Sequence, residues 1–398
     1  MAKKIYKMNI AIIPGIFFPQ PGGVQIQVHN ISNKLVENKC NVDCFLFGKS
    51  NIKNNKYFIH TFNRALTSLV FIFHYYFRIN LLFLLKLYFK KLIKQGKYSI
   101  WHFHFINYKS LIVINCLKSL NQKIVVTFHG VDLQIDKDIG YGYRLDKKFD
   151  KYLRASIKNI DHFTCISKTI KDDLLNLGID ERKITEVPNG IDIKKFKIEN
   201  NNLGKTKFLK LITVARYDEK KKGYDILPIL SKKLIEKNIN FRWSIIGKKT
   251  YILKEHKIIK DNPQHFKIID NILDDSENYF PNSELIKKYL DSDLYVNLSR
   301  IESFGLTFIE SMAAETPIIT FETKGANELI FNGVNGFVIK DNNLDIMAET
   351  IYDISKNTYL IKSLKPNLLK IIEKFDLNLV TNKFLNVYNS VIKKEESY

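Results

Sequence analysis

Short apolar runs alternate with segments of helical period along this chain, and they do so in two successive series. In the first, residues 9–14 read as a strand and Gly22-Gly23 punctuate the turn after it. Residues 24–37 follow as a helix, with Val24, Val28, Ile31 and Leu35 at helical spacing. Further strands are predicted at 42–47, 100–105, 123–128 and 162–166. A helix over 167–178 opens on Ser167 as its cap and stops at Gly178. Residues 187–192, Val-Pro-Asn-Gly-Ile-Asp, form a turn, and the polar stretch 194–207 reads as a linker.

The second series begins with a strand over 208–214, a helix over 223–237 and a strand over 241–246 ended by Gly247. Strands at 266–270, 293–299 and 317–321 follow, with helices at 306–315, 327–330 and 344–356. Two βα series predict an α/β protein of two Rossmann-like domains, each a doubly wound parallel sheet, facing each other across a cleft. The limits read as 1–195 and 205–380. The last helical run, 377–392, is expected to cross back to the first domain, with 381–398 as the crossing segment.

The size agrees, since 398 residues are too many for one ordinary core. Residues 1–7 are basic, but 9–14 reads as a core strand with no small-residue cleavage site after it, so a cytoplasmic protein without a signal peptide is expected. Cys40, Cys44, Cys116 and Cys165 form no CxxC pair and have no His at zinc spacing, as expected of reduced, buried thiols.

Charge changes the picture more. The formal net charge is +21, and residues 1–130 hold 18 Lys and Arg against only Glu37 and Asp43. A basic first domain is drawn to an anionic surface. No nucleic-acid motif accompanies the charge, which favours lipid headgroups over nucleic acid. Residues 66–93 are dense in Leu, Phe and Tyr, yet contain Arg78, Lys86, Lys90 and Lys91, with Lys94 just beyond. Lys86, Lys90 and Lys94 form one helical stripe beside Leu82, Leu85, Phe89 and Leu92. Two readings stay open: a core helix pair under a basic surface, or a helix lying in the membrane plane at the inner face of the cell membrane. A true span is disfavoured by Arg78 and Asn80, because an arginine at mid-bilayer costs about 2.5 kcal/mol or more.

The candidate chemistry sits at strand ends. Glu302-Ser-Phe-Gly-Leu-Thr-Phe-Ile-Glu310 follows a strand and opens a helix, with a Phe304-Gly305 turn between two carboxylates. Unpaired N–H groups at such a turn suit phosphate, and ionised carboxylates accept sugar hydroxyls. Arg216 leaves another strand end and Lys222 lies six residues on, a pair that could neutralise a diphosphate leaving group; Lys220 and Lys221 read as a solvated run. Gly22 and Gly23 let backbone approach a phosphate. His129 ends a strand of the first domain and would sit beside the reacting sugar if the two sheets face each other.

These motifs resemble those of the retaining GT-B glycosyltransferases of family 4, over essentially the whole chain, from the Gly22-Gly23 turn to Asn335-Gly336-Phe337. The resemblance implies that Glu310 holds the ribose of a nucleotide sugar and Glu302 the donor sugar. Backbone at Phe304, Gly305 and Leu306 would bind phosphate, together with Arg216, Lys222, Gly22 and Gly23. It implies His129 as the active-site histidine, Asn189-Gly190 as a turn near the hinge, and a reaction that needs no metal or other cofactor. Expected partners are a nucleotide sugar, a glycan or polyprenyl- or other lipid-linked acceptor, and an anionic membrane surface. Glu315, Ser299-Arg300 and a long 274–282 loop depart from the family pattern. Asp291-Ser-Asp293 looks like a metal-binding DxD, but reads better as a helix end before a strand. A non-enzymatic nucleotide-sugar binder, or a phosphorylase or epimerase on the same frame, are the alternatives.

Overall fold

The computed structural model describes residues 8–19, 22–197, 207–270, 277–357 and 359–393. The chain divides into two compact units. One comprises Met1–Gly190, Asp275–Tyr279 and Leu377–Tyr398; the other comprises Ile191–Asp274 and Phe280–Asp376.

The first unit is built on seven parallel strands: β1 (Asn9–Pro14), β2 (Asn41–Leu46), β3 (Phe58–Thr61), β4 (Ile100–His104), β5 (Ile124–Phe128), β6 (His162–Cys165) and β7 (Ile184–Glu186), in the order β3-β2-β1-β4-β5-β6-β7. The central strands β4 and β5 are buried throughout, as parallel strands covered on both faces must be. Around the sheet lie α1 (Gly23–Glu37), α2 (Arg64–Tyr76), α3 (Leu82–Gly96), α4 (Tyr108–Lys118), α5 (Lys147–Ser156) and α6 (Lys168–Leu175). Ser167 caps α6 by accepting the Ile170 N–H, and the helix ends three residues before Gly178.

The second unit has six parallel strands: β8 (Leu209–Val214), β9 (Phe241–Ile246), β10 (Phe266–Ile269), β11 (Leu294–Asn297), β12 (Ile318–Phe321) and β13 (Gly336–Ile339), ordered β10-β9-β8-β11-β12-β13. Its helices are α7 (Glu219–Lys222), α8 (Leu227–Glu236), α9 (Lys257–Lys260), α10 (Ser283–Leu290), α11 (Leu306–Ala313), α12 (Lys324–Leu329), α13 (Leu344–Lys356) and α14 (Tyr359–Ile372). Its core gathers Leu211, Trp243, Val296, Ile319 and Met347. The final helix, α15 (Leu377–Lys393), packs Val380, Phe384 and Tyr388 into the first unit's core with Val28, Ile31 and Leu35 of α1.

The two-sheet α/β fold class stands, and several local expectations change. The helix predicted over 223–237 starts later, as α8 at Leu227, because Gly223 takes a left-handed conformation (φ 69°) and closes the separate short helix α7 instead of opening the next one. The apolar stretch 66–93 breaks at Phe77–Leu81, where Arg78 has a positive φ, into the pair α2 and α3. Leu85 and Phe89 of that stretch belong to the core: Phe89 packs edge-on to Phe62 and Trp101. Among the described residues, no helix is long and apolar enough to cross a membrane. The four cysteines are free and buried. Of the 194–207 linker, residues 198–206 lie outside the described residues, as do 274–276 of the long loop.

Each sheet reverses its winding at one point. In the second unit the chain lays β8, β9 and β10 outward in one direction, then returns to place β11 on the other side of β8. In the first unit the same reversal falls between β1 and β4. Crevices at the carboxyl ends of strands on either side of such a reversal are where open α/β sheets bind ligands.

Candidate active site

At the reversal in the second unit, the loops after β8 and β11 supply the charged groups. Gly247 is packed so closely against the backbone after β8 that a Cβ there would lie 1.9 Å from the Ala215 carbonyl oxygen. Ala215 is fixed further by the Tyr224 hydroxyl, which donates to its carbonyl at 2.6 Å. Arg216 follows with an exposed side chain. Asp218 caps α7 by accepting the Lys221 N–H at 2.9 Å.

Lys222, the last residue of α7, meets Glu302 from the loop after β11, Nζ to Oε2 at 2.7 Å, with both side chains mostly covered. Lys221 is not the solvated residue expected of a lysine run. It is half-buried, and burial together with the Lys222 ammonium pushes it down to about 8, with Arg216 adding to the effect and Glu302 and Asp218 opposing it. Lys220 is exposed, as expected.

The Glu302–Glu310 motif forms a strand, a tight turn and a helix. Gly305 takes φ 89° and stands at the N-cap of α11 without any side-chain cap. The Phe308 N–H donates to the Gly305 carbonyl at 2.9 Å, which leaves the Leu306 and Thr307 N–H groups of the first turn of α11 without an intrahelical acceptor. Phe304 is buried edge-on against Phe375, ring centroids 5.5 Å apart. Gly325 at the start of α12 donates its N–H to the Glu302 carbonyl at 2.7 Å; a Cβ at Gly325 would lie 2.8 Å from that oxygen and from the Phe304 nitrogen.

One helical turn further, Glu310 is buried and accepts the Tyr289 hydroxyl at 2.9 Å. Burial raises its carboxyl to about 7 against the lowering effect of that hydrogen bond. The two glutamates thus have different surroundings: Glu302 is paired with a lysine, while Glu310 meets a phenol. Asp291 ends α10, and Asp293 accepts the Lys210 N–H at 2.8 Å, so this acidic pair serves the helix end and the strand start. Among the described residues, no group of three or more His, Cys, Asp or Glu side chains could hold a metal ion.

In the first unit, β1 and β4 are tied by the Gly15 N–H donating to the His104 carbonyl at 2.8 Å. Pro21 lies outside the described residues. Gly22 is the N-cap of α1, with no side-chain cap, and Gly23 is its first residue. A Cβ on Gly22 would lie 2.8 Å from the Gln25 Oε1, which is buried without a hydrogen-bond partner among the described residues. His129 follows β5, and its Nε2 faces the Nδ1 of His104 at 3.2 Å. His102, two residues back on the same face of β4, holds Tyr388 of α15 through Nδ1 and Thr127 through Nε2, each at 2.7 Å. Burial pushes both His102 and His129 down to about 3 and His104 well down as well, so all three rings are neutral near pH 7.

Asp132 knits this corner together. Its carboxylate accepts the N–H groups of His129, Gly130 and Ile106 at 3.0, 2.9 and 3.1 Å. Burial raises it to about 6, and those backbone donors hold it from rising further.

The structure thus gathers Arg216, Lys222, Glu302, Phe304, Gly305, Leu306 and Glu310 on adjoining loops and one helix of the second unit. Gly22 and Gly23 open α1 and His129 follows β5 in the first. Sequence reasoning missed His104, Asp132, Tyr289 and Lys221. The His-Phe-His alternation of β4 and the three-residue spacing of His129 and Asp132 were signals in plain view. Tyr289 gave none, because its contact spans 21 residues.

Two family models match consecutive parts of the chain: Glycosyltransferase Family 4 over residues 21–195 and Glycosyl transferases group 1 over 194–370. The chain belongs to the family 4 glycosyltransferases. An uncharacterized glycosyltransferase of Methanocaldococcus jannaschii is 24% identical over 92% of this chain and 93% of its own. The capsular polysaccharide biosynthesis glycosyltransferase CapM of Staphylococcus aureus is 27% identical over 58% of this chain and 62% of its own. Among solved structures, Anabaena HepE in complex with UDP superposes with a TM-score of 0.72 at 16% identity, covering 96% of this chain and all of that one. This family 4 glycosyltransferase has the two parallel α/β domains of the GT-B fold.

Proposed function

We propose that this glycosyltransferase moves a hexosyl unit, with retained anomeric configuration, from a nucleoside diphosphate sugar to a glycan or lipid-linked acceptor. Cell-surface polysaccharide or glycolipid assembly is the setting that fits. The observation that carries the reading is the 2.7 Å Lys222–Glu302 pair beside the uncapped start of α11 at the sheet reversal. HepE, solved with UDP, and CapM, a capsular polysaccharide enzyme, support the choice of donor and product class.

In this reading Arg216, Lys222 and the N–H groups of Phe304, Gly305 and Leu306 hold the diphosphate. Glu310 accepts the ribose hydroxyls and Glu302 those of the sugar. As the bond from the anomeric carbon to the phosphate oxygen breaks, the cations and N–H dipoles stabilise the charge that collects on that oxygen. The acceptor oxygen bonds to the anomeric carbon on the same face, and its proton passes to the departing phosphate oxygen. His129, neutral and buried, is proposed as a hydrogen-bonding group rather than an acid or base. The lysine and arginine side chains supply the positive charge, so we expect EDTA to leave the rate unchanged.

The acceptor is proposed to be membrane-proximal. On α3, the face opposite buried Leu85 and Phe89 carries Phe83 and Leu87 among Lys86, Lys90, Lys91 and Lys94. Leu69, Ile72, Tyr76, Phe77 and Ile79 add further exposed apolar surface from α2 and the turn. Apolar groups among cations fit an anionic bilayer surface. Co-sedimentation with anionic but not neutral vesicles is expected; equal recovery with both, or with neither, removes the membrane contact.

Thermal shift with a panel of UDP-, GDP- and ADP-sugars tests the donor reading. A matching donor at 100 times its dissociation constant stabilises by about 2.7 kcal/mol. Glu310→Ala should weaken the shift for every donor, whereas the loss with Glu302→Ala should depend on the sugar. No shift with any donor would refute the assignment.

A further inference from the structure

We infer that Arg300 is a positioning residue that acts through Lys222, holding the one-turn helix α7 in register with Glu302. The inference deepens the donor-site reading above and rests on it.

A helix of four residues satisfies almost none of its own carbonyl groups. Arg300 takes up three of them. Its Nη1 donates to the Glu219 carbonyl at 3.4 Å and the Lys220 carbonyl at 2.9 Å, and its backbone N–H donates to the Lys221 carbonyl at 3.0 Å. The same guanidinium forks onto Asp225, just beyond α7, with Nη1 to Oδ1 at 2.8 Å and Nη2 to Oδ2 at 2.9 Å. On the other side of the turn, Gly223 lies so close to the β11 end that a Cβ would sit 2.1 Å from the Leu298 carbonyl oxygen. The loop that presents Glu302 therefore also grips, two residues earlier, the turn that presents Lys222.

This arrangement bears on function chiefly through Lys222, the residue of α7 that pairs with Glu302. When a diphosphate arrives, the ammonium must share itself between Glu302 and a phosphate oxygen. If α7 is already fixed, the ordering cost is met in the free protein and does not weaken binding. A lysine at position 300 cannot reproduce the planar fork that bonds Asp225 and two carbonyls at once. Sequence alone marked Arg300 only as a departure from the family's pattern. The structure assigns it a task.

A double-mutant cycle tests the inference, read as the dissociation constant of whichever of UDP, GDP and ADP binds best to the full chain. Lys222→Met should weaken binding. Arg300→Met should weaken it about ten-fold in the parent and much less in the Lys222→Met background, because residues acting as one unit are not additive. Arg300→Lys should recover only part of the loss. If Arg300→Met lowers the melting temperature so far that binding cannot be read, Asp225→Asn carries the same cycle with the same sign. A full Arg300→Met effect persisting without Lys222, or no effect in the parent, overturns the inference while leaving the donor site intact. An unchanged affinity in Lys222→Met overturns the donor-site reading and this inference with it.

Discussion

The Tyr289 hydroxyl donates to Glu310 Oε2 at 2.9 Å inside the second unit, and it is the hydrogen bond that keeps this buried carboxyl from rising beyond about 7. In the unfolded chain the group titrates near 4.5. The folded state therefore binds more protons between those values, and the stability it contributes falls as pH rises from about 4.5 to 7.

Ligand binding has the opposite sign. A ribose held by Glu310 needs the ionised form as acceptor, so nucleotide affinity should climb as pH passes from 6 to 8. Tyr289→Phe removes the lowering contact and should move this limb to higher pH; Glu310→Gln should abolish it. Calorimetric titration with UDP, GDP and ADP across that range reads both. An unshifted limb in Tyr289→Phe would show that Glu310 does not set it.

Lys221 should supply the alkaline side. Its ammonium loses its proton near 8 in the folded chain but near 10.5 when unfolded. The unfolded state binds more protons between these values, so stability rises with pH there while the donor site loses a positive charge. Nucleoside diphosphate affinity is expected to fall from pH 7.5 to 9 in the parent and to stay flat over that interval in Lys221→Met. A parent profile flat to pH 9 would place this lysine away from the ligand.

How much of this was legible in the sequence follows from the range of the interactions. β1, α1, β9 and α13 appear within a residue or so of their expected limits, because each carries its own apolar period and punctuation. β3, β7 and β13 were not anticipated. They are three or four residues long, and a strand that short gains its identity from the neighbour it pairs with. The Glu302–Glu310 motif was readable because strand, glycine turn and helix are contiguous. The pairing of Lys222 with Glu302 crosses 80 residues, and the clamp of Arg300 on Asp225 crosses 75. Only the parallel sheet, by placing β8 next to β11, makes either visible.

The histidine cluster predicts acid sensitivity of the first unit. His102 and His129 are held down to about 3 and His29 to about 4, each chiefly by burial, with a hydrogen bond to the Asn278 carbonyl opposing the shift at His29. The unfolded chain protonates all of them near 6.5, so it binds more protons below that value and folding weakens as pH falls from about 6.5 towards 4. Urea unfolding followed by Trp101 fluorescence should show the midpoint dropping through this interval. Any limb of the rate profile near neutral pH is expected to survive in His129→Asn, since no histidine of the cluster ionises there and Glu310 titrates near 7. A limb at 6.5 that disappears in His129→Asn would contradict a neutral role.

Gly223 and Gly333 both take left-handed conformations in the second unit, with φ of 69° and 73°, but their surroundings differ. A Cβ at Gly333 would meet nothing within 4 Å, whereas at Gly223 it would lie 2.1 Å from the Leu298 carbonyl oxygen. Gly333→Ala should therefore cost only the backbone strain, about 1–3 kcal/mol. Gly223→Ala carries the same strain and must also push α7 off the end of β11, shifting Lys222 away from Glu302. Chemical denaturation should rank Gly223→Ala as the less stable of the two, and only this variant should lose nucleoside diphosphate affinity. Equal losses of affinity in both would mean that the distance from α7 to β11 does not control the site.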